Sequence, residues 1–137
     1  MKPIYNNEAD ITIGSRFLKE NNYGFKSTLT RRMGIFFFTL LNKIIINKKI
    51  TDSTSGFRAY NRSLIEFLAV NYPSFDYPEP EEIILLGKNG FRIKELPVEM
   101  LGRTGGTSSI NTFKAIYYML KVTFAVFMVA VRPKIRN

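Results

Sequence analysis

The stretch Ile50-Thr51-Asp52-Ser53-Thr54-Ser55-Gly56-Phe57-Arg58-Ala59-Tyr60 decides how this chain folds and what it can hold. Its hydroxyl and carboxylate side chains, Thr51 to Ser55, precede a glycine and an arginine, and the segment reads as a turn entering a strand. Such a segment suits an anion. Gly56 allows a positive φ or a close backbone approach, the hydroxyls donate, and Arg58 can meet a phosphate or carboxylate with two parallel hydrogen bonds. The alternative is an Asx or Ser/Thr turn that does nothing more than start a strand.

Working outward toward the N-terminus, Ser27–Ile46 reads as a helix. Ser27 or Thr28 caps it, Arg31 and Arg32 fall in its early turns, and Ile35-Phe36-Phe37-Phe38, Leu40-Leu41 and Ile44-Ile45-Ile46 follow. Its apolar positions cover nearly the whole circumference, so it is either buried or in contact with lipid. Thr39, Asn42 and Lys43 interrupt the run well short of the ~20 apolar residues a spanning helix needs. An interfacial helix with Arg31, Arg32, Lys43, Lys48 and Lys49 at the headgroups is one reading, and a buried helix with charged ends is the other. Lys19–Lys26 is a polar loop. Ala9–Phe17 (Ala-Asp-Ile-Thr-Ile-Gly-Ser-Arg-Phe) is a β-rich run with Ser15 and Arg16 at its C-terminal end, where ligands gather in open α/β sheets.

Toward the C-terminus, Asn61 or Arg62 opens an amphipathic helix, Ser63–Asn71, whose Leu64, Ile65, Phe67 and Leu68 are expected to face the core. Three prolines keep Tyr72–Pro80 from being helical throughout. That segment delivers Glu79, Glu81 and Glu82 to the first turn of a helix over Glu81–Lys88, where carboxylates complement the helix dipole or serve as a base or sugar-hydroxyl ligand at a cleft. Asn89-Gly90 ends that helix. Phe91–Met100 then alternates apolar and charged residues as a half-exposed strand does, with Pro97 placing its later half at an edge or bulge. Leu101–Ile110 is a glycine- and hydroxyl-rich loop around Arg103, suited to closing over a phosphate or to a plain linker. The last helix, Asn111–Val131, carries no charge from Val122 to Val131 and ends in Arg132-Pro-Lys-Ile-Arg. It is short of a clean span yet too apolar for an ordinary surface helix; its tyrosines and basic end fit contact with an anionic leaflet, and burial against a further domain is the other reading.

Composition narrows the chemistry. The 137 residues fit one domain able to bury roughly two-thirds of its unfolded surface. Twenty Lys and Arg against eleven Asp and Glu give a net charge of +9, which favours an anionic partner. With no cysteine and no histidine there is no disulfide, thiolate nucleophile, Ser-His pair or conventional zinc site. Acid-base work falls to carboxylates, Tyr or Lys. The N-terminal residues show no apolar h-region, so no signal peptide is expected. Nucleic acid is not an expected partner, because Phe36–Phe38 lie in an apolar run rather than interleaved with basic residues.

Taken in order, Ala-Asp-Ile-Thr-Ile-Gly-Ser-Arg-Phe, Arg31-Arg32, Thr51 to Arg58, Pro78-Glu79-Pro80-Glu81, Asn89-Gly90-Phe91-Arg92-Ile93, Glu95-Leu96-Pro97-Val98, Arg103 and Gly106-Thr-Ser-Ser closely resemble the C-terminal half of family 2 glycosyltransferases. Within that group the chain is most similar to the dolichyl-phosphate mannose synthase-like and bacterial polysaccharide enzymes. The resemblance implies an α/β chain forming the C-terminal half of a GT-A fold over residues 1–110, followed by a membrane-associated helix and basic tail over 111–137. It implies inverting transfer of a sugar from a nucleotide sugar to a polyprenyl phosphate or polysaccharide acceptor, a divalent cation (Mg or Mn), and a place at the cytoplasmic face of the plasma membrane. By the same resemblance Ser15 and Arg16 lie near donor and acceptor. Arg31, Arg32, Ser55 and Arg58 lie near the acceptor phosphate, with Asp52 and Gly56 in the same motif. Glu79 takes the base position and Glu81 that of the second acidic residue there, and Arg103 and Ser108 belong to a loop over the donor diphosphate. The family's metal-holding Asp-x-Asp does not occur, since Asp10, Asp52 and Asp76 are isolated. The nucleotide-binding half is therefore expected N-terminal to Ala9. Without it the Ala9 strand is expected at an exposed edge prone to pairing with a second copy. The competing expectation is a non-catalytic basic module that binds membranes or polyanions.

Overall fold

The computed structural model describes residues 2–18, 29–72, 80–99 and 112–135, by backbone alone at 29–32 and 112–116. Within them a three-stranded sheet is flanked by helices. The elements run α1 (Lys2–Tyr5), β1 (Ile11–Ser15), α2 (Leu29–Ile46), β2 (Arg58–Tyr60), α3 (Arg62–Asn71), α4 (Pro80–Lys88), β3 (Ile93–Pro97) and α5 (Thr112–Val131).

The sheet order is β2-β1-β3. β1 pairs antiparallel with β2 (Ile11 opposite Tyr60, Ile13 opposite Arg58) and parallel with β3 (Ile11 opposite Ile93, Ser15 opposite Pro97). All five of its residues are buried. The Ala9 strand is thus central, which corrects the expectation that it forms an exposed edge. Two later segments supply its partners, and β2 and β3 are the edges among the described residues. Pro97 closes an edge strand, where its missing N–H costs no ladder bond. Gly14 is required by crowding: a Cβ there would lie 2.6 Å from Phe57 and 2.8 Å from Val98.

Ile11 and Ile13 anchor the core with Ile50, Leu64, Ile83, Leu86 and Phe91. In α3 the side chain of Asn61 accepts the Leu64 N–H at 2.9 Å and caps the helix. Leu64 is fully buried and Phe67 and Leu68 pack on the core, but Ile65 is 54% exposed. One step of ~100° past Leu64 turns Ile65 off the buried stripe. α4 starts at Pro80, one residue before the expected Glu81, because proline is tolerated in a first helical turn.

A second cluster, Phe38, Ile84, Val122 and Val126, packs α2, α4 and α5 together. Gly87 lets α4 approach Ile46 of α2 closely, as a Cβ there would come within 2.6 Å of it. The Lys88 ammonium donates to the carbonyls of Val129, Ala130 and Arg132 and so completes the C-terminus of α5. No helix among the described residues is long and apolar enough to cross a membrane.

Candidate functional site

Because β1 and β3 run parallel and β2 runs against them, the ends of β1 and β3 and the start of β2 lie at one end of the sheet. α4 leads directly into β3, and its N-terminus comes back to that same end, where Arg58 Nη1 donates to Glu82 Oε2 at 2.9 Å. Ser15-Arg16, the 51–58 loop and the first turn of α4 therefore meet in space.

The loop is fastened on three sides. Fully buried Asp52 accepts the Arg16 backbone N–H at 3.1 Å and its Nε and Nη2 at 2.6 Å each. Arg16 Nη2 also donates to Thr54 at 3.1 Å. From β3, the Glu95 carboxylate accepts the backbone N–H groups of Thr51 and Asp52 and the Thr51 hydroxyl, all at 2.9–3.0 Å. Ser15 and Thr51 share a hydroxyl–hydroxyl bond of 2.7 Å, and the Ser55 hydroxyl donates to the Gly14 carbonyl at 2.7 Å. Toward α4, Arg58 donates to Glu82 and also to the Ser55 and Ser53 carbonyls, at 2.8 and 2.6 Å. Its side chain is only 1% exposed. The guanidinium groups of Arg16 and Arg58 thus engage protein acceptors, and in this conformation they brace the loop.

Gly56 differs from its sequence-based reading. Only Gly90 has a positive φ among the described glycines, and a Cβ at Gly56 would meet nothing within 4 Å. Neither backbone conformation nor crowding calls for glycine there; its place is open surface, beside Phe57, which is 69% exposed.

Among the acidic candidates, Glu81 is buried and accepts the Tyr72 hydroxyl at 3.1 Å. Burial pushes the Glu82 carboxyl above its ordinary value, against the pull of Arg58. Burial and the neighbouring Glu82 charge push the Tyr60 phenol up to about 12. Burial likewise raises Glu95, opposed by the N–H groups of Thr51 and Asp52. Glu79, Arg103 and Ser108 lie outside the described residues, as do the whole of Lys19–Lys26 and Leu101–Ile110 and residues 73–79. Arg31 and Arg32 are described by backbone only, in the first turn of α2. Glu95, Tyr60 and Tyr72 are members of the site that sequence reasoning did not single out as contacts, while Glu82, read with Glu79 and Glu81 as a base or sugar-hydroxyl ligand, pairs with Arg58. Glu95 reads as one more charged position in an alternating strand, in the middle of β3, and its partners Thr51 and Asp52 lie more than forty residues away.

The described residues do not fit the divalent cation that the family resemblance implies. No three of the described acidic residues form a group able to hold a metal ion. Asp52 gives both oxygens to Arg16, Glu82 pairs with Arg58, and Glu95 holds backbone N–H groups. A cavity of about 590 Å³ lies at the other end of the sheet, lined by Asp10, Ser63, Asn89 and Lys134 among others. Its Arg92 is bonded to Asp10 and Asn7.

What these elements define is a mixed α/β unit with a polar loop braced at one end of a small sheet. Two similar proteins share most of the chain. It is 27% identical over 125 residues to an uncharacterized protein of Methanocaldococcus jannaschii, covering 88% of this chain and 51% of that protein. It is 28% identical over 126 residues to the UDP-N-acetylglucosamine–dolichyl-phosphate N-acetylglucosaminyltransferase of Methanococcus voltae, covering 88% and 49%. The chain spans about half the length of these relatives. No family model and no solved structure matches it.

Proposed function

We propose that this chain forms the acceptor-side part of a family 2, GT-A-type inverting glycosyltransferase that moves a sugar from a nucleotide sugar to a polyprenyl phosphate or polysaccharide precursor at the cytoplasmic face of the plasma membrane. The observation that carries the reading is the meeting of Ser15-Arg16, the 51–58 loop and the start of α4 at one sheet end. The Methanococcus voltae relative, named for a dolichyl-phosphate acceptor, supports it.

In the proposed reaction an acceptor phosphate oxygen attacks the anomeric carbon. The bond from that carbon to the nucleotide diphosphate breaks, and its electron pair leaves with the diphosphate. A phosphate acceptor is already ionised and needs no strong base; a hydroxyl acceptor would need one, and Glu81 or Glu79 takes that role. Arg31 and Arg32 meet the acceptor phosphate, while Arg103 and Ser108 stabilise charge on the leaving diphosphate. Arg16, Asp52, Arg58 and Glu95 hold the Ser55–Gly56 surface in place for the acceptor. The divalent cation belongs with the donor and is not assigned to these residues.

The test is transfer of labelled sugar from nucleotide sugars to polyprenyl phosphate by membranes containing this chain joined to a nucleotide-binding half, which the chain by itself is not expected to supply. Labelled lipid that depends on the protein and falls ~10-fold or more in Arg31→Ala supports the reading. Absence of labelled lipid with every common nucleotide sugar would favour the non-catalytic basic module.

A further inference from the structure

The transfer reading makes no use of the cavity at the other end of the sheet. Its volume of about 590 Å³ lies within the range of small-molecule sites. Asp10 ahead of β1, Arg92 ahead of β3, Ser63 in the first turn of α3, Lys88 at the end of α4 and Lys134 beyond α5 line it. Two features keep it formed. Gly90, also in its wall, stands at a φ of 78° with nothing within 4 Å of where a Cβ would project. Buried Asn89 accepts the Ile135 N–H at 2.7 Å, which ties down the chain after α5 and brings Lys134 to the wall.

The charges of the wall do not cancel. Asp10 accepts the Arg92 backbone N–H, its Nε and Nη2, and the Asn61 amide, all at 2.8–3.2 Å, so its charge is matched by Arg92. Lys88 is fixed by three carbonyls at the C-terminus of α5, a helix end that carries about half a negative charge. Lys134 is exposed, and neither lysine has an acidic partner among the described residues. Two ammonium groups less half a charge leave about 1.5 positive charges facing the cavity. A phosphomonoester at pH 7 carries roughly 1.5 to 2 negative charges, a closer match than a single carboxylate. The cavity also has room for more than a phosphate group alone.

We infer that this cavity is a second binding site, for a small phosphorylated molecule whose phosphate lies between Lys88 and Lys134. At about 3.3 Å per residue, the five residues of β1 put it roughly 15 Å from the Ser15 end, too far for the bound molecule to react there. The inference is independent of the transfer reaction, since binding is measured without nucleotide sugar and read at other residues.

The test is amide chemical-shift mapping of the isotope-labelled full chain with glucose 6-phosphate and with inorganic phosphate, with glucose as the uncharged control. The expected result is saturable shifts at Asp10, Ser63, Lys88 to Arg92 and Ile135, with a Kd for glucose 6-phosphate of about 1 mM or tighter. Inorganic phosphate should shift the same amides more weakly, glucose should not shift them, and added salt should weaken binding. Lys134→Glu should weaken it about tenfold. Ser63→Asp puts a carboxylate on the wall in the first turn of α3, where it suits the helix dipole. It should therefore also weaken binding while the thermal midpoint stays at or above the parent's. The absence of shifts at these residues up to about 10 mM, equal shifts with glucose, or variants that bind as the parent does would overturn the inference. Shifts confined to Gly14 to Arg16 and Thr51 to Phe57 would overturn it too, while supporting the acceptor site.

Discussion

Replacing Arg58 with alanine removes one partner of a buried pair, since the Arg58 and Glu82 side chains are 1% and 4% exposed and 2.9 Å apart. Glu82 would then be buried with its charge uncompensated, and it would escape by taking a proton. From the ordinary glutamate value of 4.5, protonation at pH 7 costs about 3.4 kcal/mol, at about 1.36 kcal/mol per pH unit. The carbonyls of Ser53 and Ser55 also lose their donors, at ~1 kcal/mol each. Because burial already raises the Glu82 carboxyl, part of the protonation cost is present in the parent. The expected loss at pH 7 is therefore about 3–5 kcal/mol, the usual cost of breaking a buried pair. Urea unfolding at pH 7 and pH 4.5 measures it. The loss should shrink at the lower pH, where the unpaired carboxyl is neutralised at little cost. Arg58→Met with Glu82→Leu should lose less at pH 7 than Arg58→Ala, because no buried charge is left unpaired. A loss under ~1 kcal/mol for Arg58→Ala, or one equal at both pH values, would refute the brace between the loop and α4.

Glu95, raised above 4.5 by burial, binds its proton more tightly folded than unfolded, so its contribution is full below 4.5 and is lost as pH rises through the folded value. The stability of the parent relative to Glu95→Gln should accordingly fall as pH rises from 4.5 and then level off; a flat difference in urea midpoints would contradict this. Gly14→Ala should cost about 1–3 kcal/mol, because its Cβ meets Phe57 and Val98 at 2.6 and 2.8 Å. Gly56→Ala, with open space around it, should stay within about 0.5 kcal/mol of the parent, both glycine variants being measured by urea unfolding.

Local chemistry carried much of this fold. The alternation in Phe91–Met100 announced β3, the polar step at Asn61 announced the α3 cap, and the apolar runs announced α2 and α5, since each signal is contained within one element. Burial was harder to read. An apolar circumference in α2 and α5 does not say which side meets α4, so Phe36 and Phe38 looked alike in the sequence yet are 71% and 2% exposed. The roles of the charged residues were the least legible. Asp52 meets Arg16, Glu82 meets Arg58 and Glu95 meets Thr51 across long sequence separations. An arginine in a hydroxyl-rich turn looks the same whether it waits for an anion or braces the turn. Only the sheet order decides, by bringing β3 and α4 to the loop.

The central claim is that the sheet end formed by Ser15, the 51–58 loop and the start of α4 receives a phosphate-bearing acceptor. Amide chemical-shift mapping of the isotope-labelled chain with farnesyl phosphate, against farnesol as the control, tests it most directly. The expected result is a set of shifts at Gly14 to Arg16, Thr51 to Phe57 and Glu81 that farnesol does not produce. Phosphate-dependent shifts confined to the Asp10, Asn89 and Lys134 cavity, or none up to about millimolar ligand, would contradict it.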